Sequence, residues 1–269
     1  MKKYLLFLTC VCLEANSNAQ NYYISSSDPN AKDSNNGTAS STPWRTIARL
    51  DTLLKGAASV DTVFLKCGDV FRDQIHIVVE SNFVITSYGT GNKPIISGAD
   101  TVKVWSPIAD FYQASFSKTA VNFFANGNEQ ILAREPDEGA AYLTVDAATN
   151  NDLQDAGLSG ISTSVLNKSQ VCVHTAQWCW EKSGISSSSS GQITYQTPTI
   201  RVPTAGYGYF LYDDTTYLTV GKEWKYDAAA QKMYYKSSSG NPNQLFCEAS
   251  VRPYGILLGA GVSGITVSN

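Results

Sequence analysis

The feature of this sequence that most constrains its fold is a series of short apolar segments that recur at nearly regular spacing after residue 60. The segments are Val63–Leu65, Ile75–Val79, Phe83–Ile85 and Pro94–Ile96. Val63 and Val84 are 21 positions apart, and Ile75 and Ile95 are 20 apart. Such a period, with two or three short strands in each, predicts an all-β chain that forms a parallel β-helix. A jelly roll or a sandwich also places short strands about every eight to twelve residues.

Residues 105–250 do not keep this period and carry strands of their own, which predicts a β-rich insertion. The predicted strands are Val121–Ala125, Glu129–Ala133, Val171–His174, Thr199–Val202 and Gly208–Tyr212. A hairpin follows, with arms at Glu223–Tyr226 and Met233–Tyr235. The serine run Ser186–Ser190 predicts a flexible surface loop.

The earlier pattern returns near the C-terminus as two strands joined by a glycine-rich bend. Ile256 and Leu258 share one face of the first strand, and Ile265 and Val267 share one face of the second. We expect both pairs to point into a narrow core. The sequence stops at Asn269 on a strand end, where an apolar edge would stay open. We therefore expect the chain to be the N-terminal fragment of a longer β-helix.

One amphipathic helix is predicted ahead of the first repeated strand. Thr42 is the expected N-cap, Pro43 suits the first helical position, and Gly56 can end the helix. Its apolar positions are Trp44, Ile47, Ala48 and Leu54. We expect this helix to cover the open end of the first β layer.

The N-terminus has the pattern of a secretory signal peptide. Lys2 and Lys3 precede an apolar stretch at Tyr4–Leu13, and Ser17–Ala19 has the small-x-small pattern of a cleavage site. We therefore expect cleavage after Ala19 and a secreted or cell-surface protein. The predicted organisation is a signal peptide at 1–19, an N-terminal cap and first coils at 20–104, the insertion at 105–250 and a resumed coil at 251–269.

Charge and composition bear on the partners of the chain. Charged residues make up 16% of the chain and the net charge is −3, so the basic surface that nucleic acids or anionic membranes require is missing. No later segment approaches the ~18 apolar residues of a membrane-spanning helix. We expect a monomer.

The sequence predicts no metal site and no cofactor. The only histidines are His76 and His174, about a hundred positions apart, which disfavours zinc. The acidic and amide residues of the loop at 25–41 do not have the spacing of a calcium loop, so we interpret this loop as a solvated turn. After cleavage the cysteines are Cys67, Cys172, Cys179 and Cys247. They could form two disulfides or remain buried thiols.

Several runs resemble one known family. They are Tyr22–Ser25, Thr42–Ile47, Asp61–Lys66, Gly68–Arg72, Ser87–Gly98, Leu132–Pro136, Tyr209–Leu211 and Glu223–Asp227. Together they resemble the N-terminal part of pectate-lyase-like right-handed parallel β-helix proteins. The resemblance extends over nearly the whole mature chain. Members of this family include polysaccharide lyases, glycoside hydrolases and proteins without a tested activity. The resemblance therefore implies a polysaccharide as partner.

The resemblance implies an active cleft on the outer face of later coils, beyond Asn269. Lyases of this type use a lysine or arginine base, often with calcium, and hydrolases use two carboxylates. No catalytic residue can be transferred to this chain, and calcium is expected only in the missing part if the protein is a lyase. We expect the fragment alone to be inactive.

Within the chain, His174, Trp178 and Trp180 are the candidate substrate-binding residues, because aromatic faces stack on sugar rings. The alternative is that the two tryptophans anchor the insertion through burial. The adjacent carboxylates Asp137–Glu138 and Asp213–Asp214 point to opposite faces of a strand and are interpreted as solvated turns. Arg134, beside Glu135 and Pro136, belongs to a stretch that resembles the family, and a structural ion pair explains it equally well.

Two functions fit these observations. The first is an extracellular carbohydrate-active enzyme, a polysaccharide lyase or a glycosidase. The second is a non-catalytic cell-surface or adhesin-type β-helix scaffold that binds glycans. The first rests on resemblance in fold together with export.

Overall fold

The computed structural model describes residues 20–55, 60–78 and 82–268. The predicted signal peptide, Gly56, the end of the predicted strand at Val79 and Asn269 lie outside these residues. The strands are β1 (Gln20–Ile24), β2 (Val60–Lys66), β3 (Val70–Phe71), β4 (Ile75–Ile77), β5 (Val84–Tyr88), β6 (Ile95–Ile96), β7 (Ala99–Thr101), β8 (Ser106–Ile108), β9 (Phe111–Ser115), β10 (Phe123–Ala125), β11 (Asn128–Glu129), β12 (Ile131–Leu132), β13 (Arg134–Glu135), β14 (Leu143–Thr144), β15 (Ala147–Ala148), β16 (Asp152–Gln154), β17 (Gln170–Ala176), β18 (Cys179–Ser189), β19 (Gln192–Tyr195), β20 (Gly208–Tyr212), β21 (Glu223–Asp227), β22 (Lys232–Lys236), β23 (Cys247–Ser250), β24 (Ile256–Leu258) and β25 (Thr266–Val267).

Helices are few and short in the described residues. They are α1 (Ile47–Leu54), α2 (Thr163–Leu166) and the 3-10 turns Ala156–Gly160, Thr215–Tyr217 and Pro242–Gln244. The prediction of an all-β chain is confirmed. Among the described helices, none has the length and apolar character needed to cross a membrane. The chain divides into two compact units, one at residues 20–98 and 252–268 and the other at residues 99–251.

The first unit is built from parallel strand pairs. β1, β2, β5 and β25 form one parallel sheet, β3 pairs with β6, and β4 pairs with β24. β1, β2, β4 and β5 place alternate side chains in a core that includes Ile24, Val63, Leu65, Ile77 and Ile85, whereas both residues of β25 are exposed. Short parallel strands require connections that travel around the unit, which is why turns rather than hairpins separate them.

The spacing between paired residues of the parallel strands differs from the predicted period of 20 to 21 positions. Val63 pairs with Ile85, which is 22 positions further on, and Val70 pairs with Ile95, which is 25 further on. The predicted match of Ile75 with Ile95 is wrong, because Ile75 pairs with Ile256. The chain leaves the first unit after Gly98 and returns at residue 252, so the strand next to β4 comes from the far end of the sequence.

Helix α1 begins later than predicted. Thr42 and Pro43 do not start it, because the Trp44 N–H donates to the Tyr23 carbonyl and the Trp44 carbonyl accepts from Ser25, which makes a parallel bridge to β1. Thr46 is the N-cap instead, and one carboxylate oxygen of Asp33 accepts the N–H groups of residues 45 and 46. The helix buries Ile47, Leu50 and Leu54 in the core of the first unit, which stabilises the fold by about 1.5–3 kcal/mol for each side chain.

The C-terminal strands only partly follow their predicted orientation. Ile256 and Ile265 are half-buried and pack against the core, whereas Leu258 and Val267 are exposed. Val267 lies at an apolar opening of about 220 Å³ that Leu65, Ile85 and Ile256 also line. The expectation that both pairs are enclosed is therefore wrong for Leu258 and Val267, which the described residues leave uncovered.

The second unit contains three antiparallel or mixed sheets. One has the order β11-β10-β23-β7 and another the order β12-β21-β22-β9-β8, and their buried side chains, among them Trp105, Phe123 and Trp224, form one core. The third has the order β13-β20-β17-β18-β19-β16-β15, with β14 also paired to β20. Its core includes Val171 and Val173 of β17.

Two predictions of local structure in this unit are wrong. The serine run is not a loop, since Ser187, Ser188 and Ser189 pair with β19 as part of β18. The predicted strand Thr199–Val202 does not form, because the N–H groups of Ile200 and Arg201 donate to the Glu181 carboxylate rather than to a neighbouring strand.

The four cysteines of the described residues are all free thiols. Cys172 and Cys247 are buried, and burial raises the pKa of both. A buried thiol with a raised pKa remains protonated and acts as a small apolar side chain.

Candidate functional site

Alternate side chains of strand β17 lie on the two faces of the eight-stranded sheet, the third sheet of the second unit. Val171, Val173 and Thr175 are buried on the core side, while Cys172 and His174 alternate with them and lie on the opposite face. The register places Trp180 of β18 directly opposite His174, and Phe210 of β20 opposite Cys172. Side chains from three neighbouring strands therefore meet on one outer face.

The imidazole of His174 lies between two aromatic rings at one end of this face. Its centroid is 4.9 Å from that of Trp180 at an interplanar angle of 11°, and 4.6 Å from that of Tyr207 at 24°. Tyr142 packs on Trp180 at 5.1 Å. Trp180 is 40% exposed and Tyr142 is 44% exposed. The result is a stack of rings whose outer surface is open to solvent.

The buried guanidinium of Arg134 packs against the rings of Tyr142 and Phe210. Its guanidinium carbon is 5.3 Å from the centroid of Tyr142 and 4.8 Å from that of Phe210, within the range of a cation–π contact. The side chain is buried, and Nη2 lies 3.1 Å from the carboxylate of Glu138. The ion pair expected at Arg134 is present, but its partner is Glu138 rather than Glu135.

A glycine allows Tyr142 to pack closely on β20. A Cβ on Gly208 would lie 2.9 Å from the Cβ of Tyr142, closer than such atoms approach in proteins. Gly208 is therefore required by a close approach of side chain to backbone. We name the surface formed by Tyr142, His174, Trp180, Tyr207 and Phe210 the aromatic face.

The aromatic face continues into polar groups at its other end. Tyr212 contacts the ring of Phe210, at 5.9 Å between centroids, and its hydroxyl donates to the Gln170 side-chain oxygen at 2.9 Å. Burial, assisted by the nearby Cys172 and Asp213, raises the pKa of Tyr212 to about 12, so its hydroxyl keeps its proton at neutral pH.

Two buried nitrogen atoms under the aromatic face have no hydrogen-bond partner among the described residues. They are Nε2 of His174 and Nε of Arg134. A buried polar atom without a partner costs about 1–3 kcal/mol.

The structure brings together two of the three residues predicted to bind substrate. His174 and Trp180 stack on each other, while Trp178 lies in the turn between β17 and β18 and is 79% exposed. Trp178 is too exposed to anchor the unit by burial, whereas Trp180 is partly buried against Tyr142, His174 and Phe210. The sequence did not single out Tyr142, Tyr207 or Phe210 as binding residues. The alternation of Gly208, Phe210 and Tyr212 along a predicted strand does indicate that these three side chains share one face of the sheet.

The predicted solvated turns at the paired carboxylates are more structured than expected. Asp137 accepts from the Thr219 hydroxyl, and Asp214 caps the following 3-10 turn by accepting from the backbone of Thr216. Asp213 forms an ion pair with Lys225, at 2.6 Å. In the part of the chain that the structure describes, no three His, Cys, Asp or Glu side chains lie close enough to hold a metal ion.

Comparison with known proteins finds no matching family model and no matching curated protein. Among solved structures, one described as a glycoside hydrolase is 16% identical, with a TM-score of 0.65 over 93% of this chain and 50% of its own. The chain thus spans about half the length of that protein, and the likeness shows a similar fold. The structure of XylC with xylose gives a TM-score of 0.47 at 13% identity, over 92% of this chain and 34% of its own.

Proposed function

We propose that this chain is part of an exported carbohydrate-active protein, a polysaccharide lyase or a glycoside hydrolase, and that its aromatic face binds polysaccharide. The observation that supports the proposal is the ring stack of His174, Trp180 and Tyr207, in which Trp180 is exposed and the other two rings are half-buried. Sugar rings present apolar C–H faces that pack on aromatic rings, while their hydroxyls remain hydrated.

The proposal includes a right-handed parallel β-helix for the first unit. Its three sets of parallel strand pairs have the arrangement that stacked coils require. The fold likeness to a glycoside hydrolase is compatible with this but concerns the fold alone. Export is proposed from the N-terminal sequence pattern.

The proposed function is tested by the effect of Trp180→Ala on binding to soluble polysaccharides, measured by affinity gel electrophoresis against a panel of neutral and acidic glycans. We expect at least one polysaccharide to retard the chain, and the variant to lose that retardation by roughly tenfold in affinity, about 1.4 kcal/mol. Tyr254→Ala, which removes an exposed ring in the first unit, is the matched control and should bind as the unchanged chain does.

Equal retardation of the Trp180→Ala and Tyr254→Ala proteins would contradict a role for the aromatic face. The reaction class requires a second measurement, on the products that the full-length protein forms from the polysaccharide. Unsaturated products with ultraviolet absorbance identify a lyase, and new reducing ends without that absorbance identify a hydrolase. Binding without either product would indicate the scaffold alternative.

A further inference from the structure

Lys182 places a positive charge in the middle of the aromatic face. The register of β17 and β18 sets it directly opposite the outward-facing Cys172, and it follows Trp180 by two positions on the same strand. Its ammonium nitrogen is 5.6 Å from the centroid of the Tyr212 ring, within the range of a cation–π contact. The lysine therefore lies between the indole of Trp180 and the phenol of Tyr212.

The charge of Lys182 has no acidic partner. Its side chain is exposed, and among the described residues no carboxylate lies within ion-pair distance of its ammonium group. Its neighbour Glu181 lies on the other side of β18, where its carboxylate accepts from the hydroxyl of Thr175 and from the Ile200 N–H. The ammonium group of Lys182 is thus available to a ligand on the aromatic face.

The other charges at the aromatic face cancel in pairs. Arg134 forms its ion pair with Glu138, at 3.1 Å. Asp213, directly after β20, is paired with Lys225 at 2.6 Å. What remains at the aromatic face is the single positive charge of Lys182.

The thiol of Cys172 shows how this charge acts on a group at the centre of the face. Burial raises the pKa of Cys172, while the positive charges of Lys182 and Arg134 act in the opposite direction. A positive charge favours the anionic form of any group beside it. An anionic substituent of a ligand at the same place would be stabilised for the same reason.

The chain as a whole does not attract anions. Its net charge is −3, so its long-range field opposes the approach of a polyanion. Charges in water act over about one Debye length, ~8–10 Å at ordinary salt concentrations. An acidic glycan that binds this chain therefore requires a local positive charge such as that of Lys182.

The spacing of Trp180 and Lys182 suits a single glycan chain. Two positions on a strand correspond to about 7 Å at ~3.4 Å per residue. A sugar ring that stacks on Trp180 can carry an acidic substituent, or be followed by a sugar that carries one, within reach of the flexible lysine side chain. Stacking and charge pairing can then act on the same ligand.

We propose that the aromatic face recognises an acidic polysaccharide, with a sugar ring stacked on Trp180 and a carboxylate or sulfate substituent bound by Lys182. This inference rests on the proposed function, because it assumes that the aromatic face binds a glycan. It concerns this face of the eight-stranded sheet, and not the cleft that the family resemblance implies beyond Asn269.

The test is affinity gel electrophoresis of the chain with pairs of glycans in which one member is acidic and the other neutral. The pairs are polygalacturonate with its methyl ester, alginate with its propylene glycol ester, and cellulose sulfate with hydroxyethyl cellulose. We expect an acidic member to bind at least roughly fivefold more tightly than its neutral counterpart. Binding in the first two pairs identifies a carboxylate as the recognised group, and binding in the third identifies a sulfate.

Lys182→Gln removes the charge and keeps a side chain of similar length. We expect it to weaken binding of the acidic glycan roughly fivefold, or about 1 kcal/mol, the upper end for an exposed ion pair. Binding of the neutral counterpart should stay unchanged, and Lys182→Arg should keep the preference for the acidic member. Lys103→Gln, which removes another exposed lysine of the same unit, is the matched control and should bind as the unchanged chain does.

The outcomes separate the two proposals. A neutral member that binds at least as tightly as its acidic counterpart, or an acidic glycan that binds Lys182→Gln as tightly as Lys103→Gln, would overturn the recognition of charge. Loss of binding in Trp180→Ala would then still support the proposed function. Absence of retardation by every glycan of the three pairs would overturn both proposals.

Discussion

At the scale of single residues, the clearest requirement in the first unit is glycine at position 37. The backbone there has a φ of 74°, and a Cβ would lie 2.4 Å from Cε2 of Trp44. Trp44 is itself buried and stacks on Tyr22 with ring centroids 4.7 Å apart. The turn at Gly37 and the packing of the indole therefore depend on each other.

We expect Gly37→Ala to lower the free energy of unfolding by roughly 2–4 kcal/mol, because it adds a steric clash with Trp44 to the cost of a left-handed backbone. Gly68→Ala is the matched control, since Gly68 has a φ of 83° with nothing within 4 Å of an added Cβ. It should cost only about 1 kcal/mol. Urea denaturation monitored by tryptophan fluorescence measures both, and equal losses in the two variants would show that the contact with Trp44 is unimportant.

The single residues of the candidate site show where sequence reasoning succeeds and where it stops. His174 and Trp180 lie close together in the sequence, so the density of aromatic residues was enough to select them. Tyr142 and Tyr207 come from segments whose position depends on the pairing of β14 with β20. Such long-range pairing is not encoded in local composition, and the contacts of these rings could not be predicted.

At the scale of elements, strand prediction worked where apolar and polar residues alternate. The predicted strand Gly208–Tyr212 coincides with β20, and the predicted hairpin coincides with β21 and β22 to within about one residue. Prediction failed where side chains compete with the backbone for hydrogen bonds. The carboxylate of Glu181 takes up the N–H groups of Ile200 and Arg201, and no periodicity reveals such a contact.

The loop that follows β1 depends on a single carboxylate. Asp69 is buried, and one of its oxygens accepts from the Ser25 hydroxyl at 2.8 Å and from the Ser26 N–H at 2.6 Å. Burial alone would raise the pKa of Asp69, but the hydrogen bonds from Ser25, Ser26 and Ser27 outweigh it and hold the pKa below its ordinary value. The loop at 25–41 is thus an ordered element, not the solvated turn that its composition suggested.

The lowered pKa of Asp69 predicts a loss of stability in acid. A carboxyl whose folded pKa is depressed contributes stability that is fully present above its unfolded pKa of about 3.9, and that is lost as the pH falls through the lower folded value. We expect Asp69→Asn to be less stable than the unchanged chain at pH 7, with a smaller difference near pH 2–3. Thermal unfolding across this pH range measures the difference. A difference that stays constant with pH would show that ionisation of Asp69 does not matter.

At the scale of the whole molecule, the first unit is completed by a segment from the end of the sequence. β24 and β25 pair with β4 and β5, and the Arg252 N–H donates to the Gly98 carbonyl at 3.0 Å. The buried core of this unit draws its side chains from residues 24–85, with Ile96, Ile256, Val262 and Ile265 among those packed against it. These contacts lie within the unit, which predicts that it can fold without residues 99–251.

We therefore expect a chain in which a four-residue Gly-Ser linker joins Gly98 to Arg252 to fold with a β-type circular dichroism spectrum and to unfold cooperatively on heating. The short distance between the two ends keeps the entropic cost of this connection small. The matched control omits residues 252–269 as well, and should be less stable because β4 and β5 lose their partners. A linked chain no more stable than this control would contradict the description of the unit.

The central claim, that the aromatic face binds glycans, is tested most directly by the indole N–H signals of the tryptophans in a two-dimensional NMR spectrum. The sequence has five tryptophans, of which Trp44, Trp105 and Trp224 are buried and Trp178 and Trp180 are exposed. Trp180→Phe assigns the signal of Trp180. On addition of the polysaccharide that retards the chain in affinity gel electrophoresis, we predict that this signal shifts while those of the three buried tryptophans stay in place. A spectrum in which the Trp180 signal remains unmoved at saturating concentrations of that polysaccharide would contradict the claim.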